Sequence, residues 1–340
     1  MADAINVLMF VHGIPTDPTS VNYEKLNYQP FYDSICAIKG GIRQAIPYET
    51  NVAKIEWGHD EPDVPVTLPD QELTAAENFI LSRTGMEEVK KLVHSDNTFL
   101  PFGLSAAERK IGEWPLKPIK DKLFTLGMTD VLYYTSPDGE LAVRRHVYNQ
   151  FFQCLEAFRS KETVQVHIIS HSQGASISFD FLFGVFASPA AYGTDINGQQ
   201  IQPGFIADKQ FYPGDDVNFN YWRDRGQKGS LVLGSFSSFG SQLALNMMRK
   251  QRTVDLLFQQ TLLDPTVINV PKRGDTPKWK HFYDPLDILG YPVRHLFDSN
   301  GTIKEYEVAS SYNPIDAHSD YWFCKEVQQE IATLIDQNLG

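Results

Sequence analysis

Apolar and polar positions along the chain follow two alternating patterns, and each pattern predicts a different element. Short, nearly continuous apolar runs between turn residues are typical of parallel strands buried on both faces. We predict strands at 5–11, 52–57, 131–135, 164–170, 230–236 and 279–283. Apolar residues recur with helical spacing in 140–158, 174–186, 242–249 and 320–338. Strands alternating with helices predict an α/β protein with a doubly wound, mostly parallel sheet.

Two long stretches interrupt this alternation. Residues 59–128 contain their own helix signals at 74–83 and 105–113 among many prolines, which indicates an inserted cap or lid. Residues 188–229 are rich in Gly, Pro, Asn, Asp and aromatic side chains without a clear period, so we predict a long loop there. A loop of that length in a compact domain is more often functional than idle. We therefore predict a single domain over 1–340 that carries both insertions.

Aromatic side chains are frequent in both insertions and have two interpretations. Either they line a pocket for an acyl group or a lipid, or they pack the insertions onto the body of the protein. The loop contains Phe205, Phe211, Tyr212, Phe219, Tyr221 and Trp222, and the cap region contains Phe99, Phe102 and Trp114. The sequence leaves both interpretations open.

The most informative segment joins the strand at 164–170 to the helix at 174–186. It reads Ser170-His171-Ser172-Gln173-Gly174. Small residues two positions on either side of Ser172 allow a strained strand-to-helix turn to pack without clashes, which pushes the serine oxygen out above the sheet edge. This arrangement is a nucleophile elbow. The alternative is that Ser172 only caps the N-terminus of the helix.

On this motif the chain resembles the α/β-hydrolase superfamily, in particular its lipase, esterase and deacylase branches, whose elbow reads Gly-x-Ser-x-Gly. The chain departs from that pattern at Ser170, which is small enough for the same turn. The first strand ends in His12-Gly13-Ile14, and in the family a strand ending in His-Gly leads into the oxyanion loop. The resemblance implies that the N–H groups of Ile14 and Gln173 hold the oxyanion. The alternative is an ordinary strand end with a tight turn.

A serine nucleophile near neutral pH needs a base within hydrogen-bond reach. The chain has nine histidines, and His318 lies in a turn-rich segment just before the last predicted helix. The resemblance implies that His318 is the catalytic base, because family members carry their histidine at this position. His281 and His295, which lie in and after the last predicted strand, remain alternatives.

The base in turn needs an acid that orients it and stabilises its cation. Two candidates follow the strand at 279–283, namely Asp284 and Asp287. The resemblance favours Asp287, because aliphatic residues follow it, whereas Asp284 alternatively opens an Asp-Pro turn. The chain order Ser172, Asp287, His318 matches the order of the α/β-hydrolase fold.

Composition and charge narrow the class of protein. The 340 residues are 42% apolar and 21% charged, as in ordinary globular proteins, and 30 basic against 42 acidic side chains give a net charge of −12. A sequence-independent grip on phosphate backbones needs clustered Lys or Arg, and the chain has no such cluster. Nucleic acid is therefore not an expected partner.

Cofactors and compartment are inferred from motifs that the chain lacks. It has no His-x-His or HExxH spacing and no glycine-rich phosphate loop, so we expect neither a metal nor a nucleotide cofactor. The cysteines Cys36, Cys154 and Cys324 are widely separated, which fits a reducing compartment better than a disulfide framework. The N-terminus lacks a signal-peptide pattern, and the longest apolar run, 179–187, is too short for a membrane span. We expect a cytoplasmic protein without a transmembrane segment.

Together these features predict a cofactor-independent serine hydrolase that cleaves carboxylic esters through a Ser-His-Asp triad and an acyl-enzyme intermediate, with a small-molecule ester or a lipid as its substrate. A lipase or lipid deacylase working at a membrane surface is an alternative, although the negative charge disfavours anionic bilayers. A thioesterase or amidase would use the same triad. An alternative of another class is a non-catalytic binding protein with the hydrolase fold, which would require a broken triad. The sequence does not indicate the oligomeric state.

Overall fold

A computed structural model describes part of the chain at the level of individual residues. The described ranges are 4–13, 24–55, 134, 137–187, 215–248, 278–287, 289–297, 303–312 and 314–339. All of them belong to one compact unit, formed by Met1–His59 together with Leu126–Gly340. The predicted cap at 59–128 lies outside the described residues.

Parallel strands form the centre of this unit. The strands are β1 (Ile5–Val11), β2 (Val52–Ile55), β3 (Val164–His171), β4 (Leu231–Phe239), β5 (Trp279–Tyr283) and β6 (Ile303–Glu307). Within the described residues they form one six-stranded sheet in the order β2-β1-β3-β4-β5-β6, and every neighbouring pair is parallel. The predicted α/β class and parallel sheet are therefore confirmed.

Two details of the sheet differ from the sequence prediction. The predicted strand at 131–135 is wrong at its one described residue, Tyr134, which is helical. A short apolar run alone does not distinguish a strand from a buried helical segment. The edge strand β6 was not predicted, because its Lys304, Glu305 and Glu307 interrupt the apolar pattern on the partly exposed side of the sheet.

The register brings the carboxyl ends of the central strands to a common edge. Val11 of β1 pairs with Ser170 of β3, and Ser170 pairs with Ser238 of β4. Phe239 at the end of β4 then pairs with Phe282 of β5. Loops that follow β1, β3, β4 and β5 therefore start side by side, which is where ligands bind in open parallel sheets.

Helices connect the strands and follow the last one. They are α1 (Gln29–Ile38), α2 (Gly40–Ala45), α3 (Tyr48–Asn51), α4 (Pro137–Glu156), α5 (Gln173–Phe186), α6 (Asp215–Lys228), α7 (Leu243–Met248), α8 (Pro314–Ala317) and α9 (Lys325–Gln337). A π-helical turn, Glu24–Tyr28, precedes α1, and 3₁₀ turns occupy Arg294–Leu296 and Asp320–Phe323. The last predicted helix thus begins as a 3₁₀ turn and continues as α9. Among the described residues, no helix is both long and apolar enough to cross a bilayer.

Apolar side chains bury both faces of the sheet. Val7, Met9 and Val11 of β1 belong to one core cluster, which also contains side chains of α4, α5 and α6. Leu8 and Phe10, the alternate residues of the same strand, belong to a second cluster with side chains of α1 and α9. Successive side chains of a strand point to opposite faces, so each face of β1 meets its own layer of helices.

The loop predicted for 188–229 is wrong in its last part, where Asp215–Lys228 forms α6. Phe219 and Trp222, almost one helical turn apart, are fully buried in the core cluster shared with α4 and α5. The many polar residues of α6 on either side of this pair hid the narrow apolar stripe. For these two aromatic residues the packing interpretation is therefore correct, and 188–214 lies outside the described residues.

Candidate active site

Ser172 occupies the sharp turn between β3 and α5. Its backbone has φ 56° and ψ −131°, and among the described residues it is the one non-glycine residue with a positive φ. Such a conformation costs roughly 1–3 kcal/mol and persists where the surroundings enforce it. Ser172 stands at the N-cap position of α5, but its side chain makes no capping hydrogen bond. The strained turn is therefore not explained by helix capping.

Small residues around Ser172 let neighbouring backbones approach it closely. A Cβ on Gly174 would overlap the carbonyl oxygens of Val11 and His12, and a Cβ on Gly13 would overlap the side chain of Ser172. The end of β1 therefore packs directly against the turn. Ser170 is fully buried in the turn, and its hydroxyl donates to Ser178 Oγ on α5 at 2.9 Å.

His318 connects Ser172 to a carboxylate. Its Nε2 lies 2.9 Å from Ser172 Oγ, and its Nδ1 lies 3.0 Å from each carboxylate oxygen of Asp287. A carboxylate can only accept a hydrogen bond, so Nδ1 carries the ring proton and donates to Asp287. Nε2 is therefore unprotonated and can accept the hydroxyl proton of Ser172. The three residues expected to form the triad are thus in hydrogen-bond contact.

Several donors surround the Asp287 carboxylate besides His318. The Leu289 N–H donates to Oδ1 at 2.9 Å, and the Tyr321 hydroxyl donates to Oδ2 at 3.0 Å. Burial alone would raise the pKa of Asp287, but the charge and hydrogen bonds of His318, together with the other two donors, lower this pKa below its ordinary value. Asp287 is therefore ionised near neutral pH and favours the His318 cation.

The competing residues have other partners. Asp284 accepts the Ser310 N–H at 2.6 Å, the Ser310 hydroxyl at 2.8 Å and the Leu286 N–H at 2.8 Å. His281 Nδ1 contacts Ser238 Oγ at 2.8 Å, and its Nε2 contacts the Tyr291 carbonyl at 2.9 Å. His295 lies exposed in the turn Arg294–Leu296. The geometry therefore favours Asp287 over Asp284, and His318 over both other histidines.

His171, the residue before Ser172, contacts the backbone of His318. Burial, and to a smaller extent the nearby His318, lower its pKa to about 3, so the ring is neutral near pH 7. The His318 carbonyl oxygen can only accept, so His171 Nε2 carries the ring proton and donates to it at 2.6 Å. The two ring centroids are 4.7 Å apart. The sequence identifies His171 only as part of the elbow motif, so this contact was missed.

Two further residues that contact the triad, Tyr321 and Gln242, were also missed. Tyr321 follows His318 by one turn, and its hydroxyl bridges Asp287 and the N–H of Asp284. The Tyr-Trp pair after His318 was the available signal for Tyr321. Gln242, just before α7, places its side-chain amide 3.1 Å from Ser172 Oγ. No sequence pattern points to Gln242, because the contact depends on the pairing of β3 with β4.

The predicted oxyanion donors are described in part. Gln173 is the first residue of α5 and is fully buried beside Ser172. Its N–H is one of the first four of the helix, which have no acceptor within the helix. Ile14 lies outside the described residues, and the chain is described up to Gly13, which packs on Ser172.

Within the described ranges, no group of three or more His, Cys, Asp or Glu side chains is arranged to hold a metal ion. No protein-family model, curated protein or solved structure matches the chain. The interpretation of the site therefore depends on its own geometry.

Proposed function

We propose that the protein is a serine hydrolase of the α/β-hydrolase type that cleaves carboxylic esters. The observation that carries the proposal is the His318 ring, which bonds Ser172 Oγ through Nε2 and the Asp287 carboxylate through Nδ1. Three such groups in this order constitute the machinery of acyl transfer by a serine nucleophile. A non-catalytic binding protein would not need to keep all three.

In the acylation step, Ser172 Oγ attacks the carbonyl carbon of the ester while His318 Nε2 takes the hydroxyl proton. Asp287 keeps the ring oriented and stabilises the resulting cation. When the tetrahedral intermediate collapses, the bond to the alcohol oxygen breaks and His318 returns the proton to that alcohol. Water then attacks the acyl-enzyme with His318 again as base, which releases the carboxylic acid and restores the Ser172 hydroxyl.

The negative charge of the tetrahedral intermediate needs fixed donors. We assign this role to the N–H groups of Ile14 and Gln173, as the family resemblance implies. The close packing of Gly13 on Ser172 and the position of Gln173 at the start of α5 support this assignment. Removing a fixed donor of this kind typically raises the barrier by about 2.7–4 kcal/mol.

The positions of the triad along the sheet support a fold of the hydrolase type. Ser172 follows β3, Asp287 follows β5 and His318 follows β6, while the His-Gly pair follows β1. The proposed substrate is a small-molecule ester or a lipid, and the three free cysteines fit a cytoplasmic location.

The proposal is tested with p-nitrophenyl esters of increasing acyl length. Wild-type protein should hydrolyse at least one of them, and Ser172→Ala should lower kcat by roughly 10⁴-fold or more while the protein stays folded. A maximum at long acyl chains with activation by micelles would indicate a lipase. Equal turnover by wild type and Ser172→Ala would contradict the proposal.

A further inference from the structure

The turn that follows β4 lies against two residues of the triad, Asp287 and Ser172. Gly240 has φ 56°, and a Cβ there would meet the Tyr321 ring at 2.9 Å and Asp287 Oδ2 at 3.1 Å. Two residues later, the side-chain amide of Gln242 lies against Ser172 Oγ. The Phe239 carbonyl, at the start of the same turn, accepts the Ser172 N–H at 3.0 Å. The position of Gln242 relative to the nucleophile is therefore set by the sheet itself.

The direction of the bond between Gln242 and Ser172 follows from counting protons. A serine hydroxyl has one proton and can accept at its lone pairs. His318 Nε2 is the nearer acceptor at 2.9 Å, whereas Gln242 Oε1 is 3.3 Å away. With the proton directed to His318, Gln242 Nε2 donates to Oγ at 3.1 Å.

The side-chain amide of Gln242 is buried, so moving it away from its hydrogen-bond partner would be unfavourable. Gln242 is 1% exposed, and among the described residues Ser172 Oγ is the hydrogen-bond partner of its side chain. A buried amide without a partner is unfavourable, so the amide is held on the serine oxygen. An apolar residue would fill the same space without that cost if the position served packing alone.

We propose that Gln242 is a further catalytic residue of the hydrolase. Its Nε2–H directs the Ser172 hydroxyl toward His318 and stabilises the negative charge that develops on Oγ as the proton leaves. A hydrogen bond to a developing oxyanion is stronger than one to a neutral hydroxyl, so the contact lowers the barrier more than it stabilises the ground state. This inference depends on the function proposed above.

The test compares Gln242→Leu and Gln242→Glu with wild type, and Gln227→Leu serves as the control. Gln227 is on α6, where its amide donates to backbone carbonyls at the end of α5. The Leu variant loses the donor, so its second-order rate of labelling by a fluorophosphonate and its kcat should both fall by about 10- to 100-fold, with KM nearly unchanged. The control should label at the wild-type rate.

The side chain in Gln242→Glu has nearly the same shape as that of Gln242, so this variant tests the effect of a negative charge beside Ser172 Oγ. A carboxylate beside Oγ favours the protonated, inactive form of His318, so the acidic limb of the pH–rate profile should move to higher pH. The labelling rate on the plateau above that limb should also fall as in the Leu variant, because an ionised Glu has no proton to donate to Oγ, whereas a purely structural role would leave the plateau rate near the wild-type value. The Glu variant also carries the test if Gln242→Leu does not fold, as judged by circular dichroism.

Wild-type labelling rates in Gln242→Leu, or a wild-type plateau rate in Gln242→Glu, would overturn the proposal. A change confined to KM would also overturn it, because it would assign the amide to substrate binding. The two proposals fail separately: activity in Ser172→Ala contradicts the hydrolase, whereas an inactive Ser172→Ala with fully active Gln242 variants contradicts only the role of Gln242.

Discussion

A serine–histidine contact at the edge of the sheet can be compared directly with one inside the sheet. At the carboxyl edge of the sheet, His318 Nε2 lies 2.9 Å from Ser172 Oγ. Within the sheet, His167 Nδ1 on β3 lies 2.9 Å from Ser235 Oγ on β4. The two pairs differ in the partner of the second ring nitrogen. In the first pair, His318 Nδ1 faces the Asp287 carboxylate. In the second pair, His167 Nε2 lies 3.3 Å from the Asn6 amide oxygen.

The difference shows why a short serine–histidine distance does not by itself define a reaction centre. The His167 ring is completely buried, and burial, with the nearby Lys278, lowers its pKa to about 3. A neutral amide oxygen cannot stabilise an imidazolium as a carboxylate does. The His318 side chain keeps 14% of its surface exposed, and its serine is on a strained turn at the strand end. The pair Ser172–His318 at the sheet edge therefore combines a partly exposed histidine, a strained serine backbone and a neighbouring carboxylate charge.

The largest expected contrast is between alanine substitutions at the two serines. Ser172→Ala removes the proposed nucleophile and should lower kcat by roughly 10⁴-fold or more. Ser235→Ala removes one buried hydrogen bond, so it should lower the free energy of unfolding by about 1–2 kcal/mol and leave kcat near the wild-type value. Ester hydrolysis and urea unfolding measure the two effects. Similar losses of kcat in both variants would remove the distinction between the pairs.

The next contrast separates the two aspartates. Asp287→Asn should lower kcat by about 10³- to 10⁴-fold, because an amide at Nδ1 no longer holds the productive tautomer or stabilises the cation. Asp284→Asn weakens the bonds to Ser310 and Leu286, so it should mainly lower stability. Kinetics of both variants on the same ester measure the contrast. A larger loss of kcat in Asp284→Asn would reverse the assignment of the acid.

A smaller effect is expected from Tyr321, which supports Asp287. Tyr321→Phe removes one donor to the carboxylate and the acceptor of the Asp284 N–H, so kcat/KM should fall by about 5- to 10-fold. Tyr306→Phe is a matched control, because its hydroxyl donates to Glu330, which is not part of the site. An unchanged kcat/KM in Tyr321→Phe would show that the other donors suffice.

The effect furthest from catalysis is a change of stability with pH at the buried histidines. The ordinary pKa of a histidine side chain is 6.5. Burial lowers the pKa of His12 to about 4, and burial is also the largest cause that lowers the pKa of His167 to about 3. Below pH 6.5 the unfolded chain binds protons that the folded chain does not, so stability is full above that pH and falls as the pH drops toward 4. Each group contributes at most about 1.4 kcal/mol per pH unit.

Urea unfolding at pH 8, 6.5 and 5 measures this dependence. His167→Gln should be less stable than wild type at pH 8 and should lose less stability between pH 8 and pH 5. Equal slopes for the two proteins would show that His167 does not stay neutral in the fold.

The central strands and the turn at Ser172 could be predicted because their signals are local. Parallel strands buried on both faces are almost continuously apolar, and the turn needs small residues at fixed spacing. β6 and α6 were missed because polar residues mask a narrow buried side in each.

Contacts between distant parts of the chain could not be predicted from local patterns. Gln242 meets Ser172 across 70 positions through the register of β3 and β4, including the bulge between Val166 and His167. Similarly, the choice between Asp284 and Asp287 depended on which carboxylate faces His318, and the two aspartates are only three residues apart in one turn.

The site of covalent modification tests the proposed nucleophile most directly. Wild-type protein is labelled with a fluorophosphonate near neutral pH, digested, and mapped by mass spectrometry, with His318→Asn treated in parallel. The proposed triad predicts one modified residue, Ser172, and labelling that is almost abolished in His318→Asn. A label on another residue, or equal labelling of Ser172 in both proteins, would contradict it.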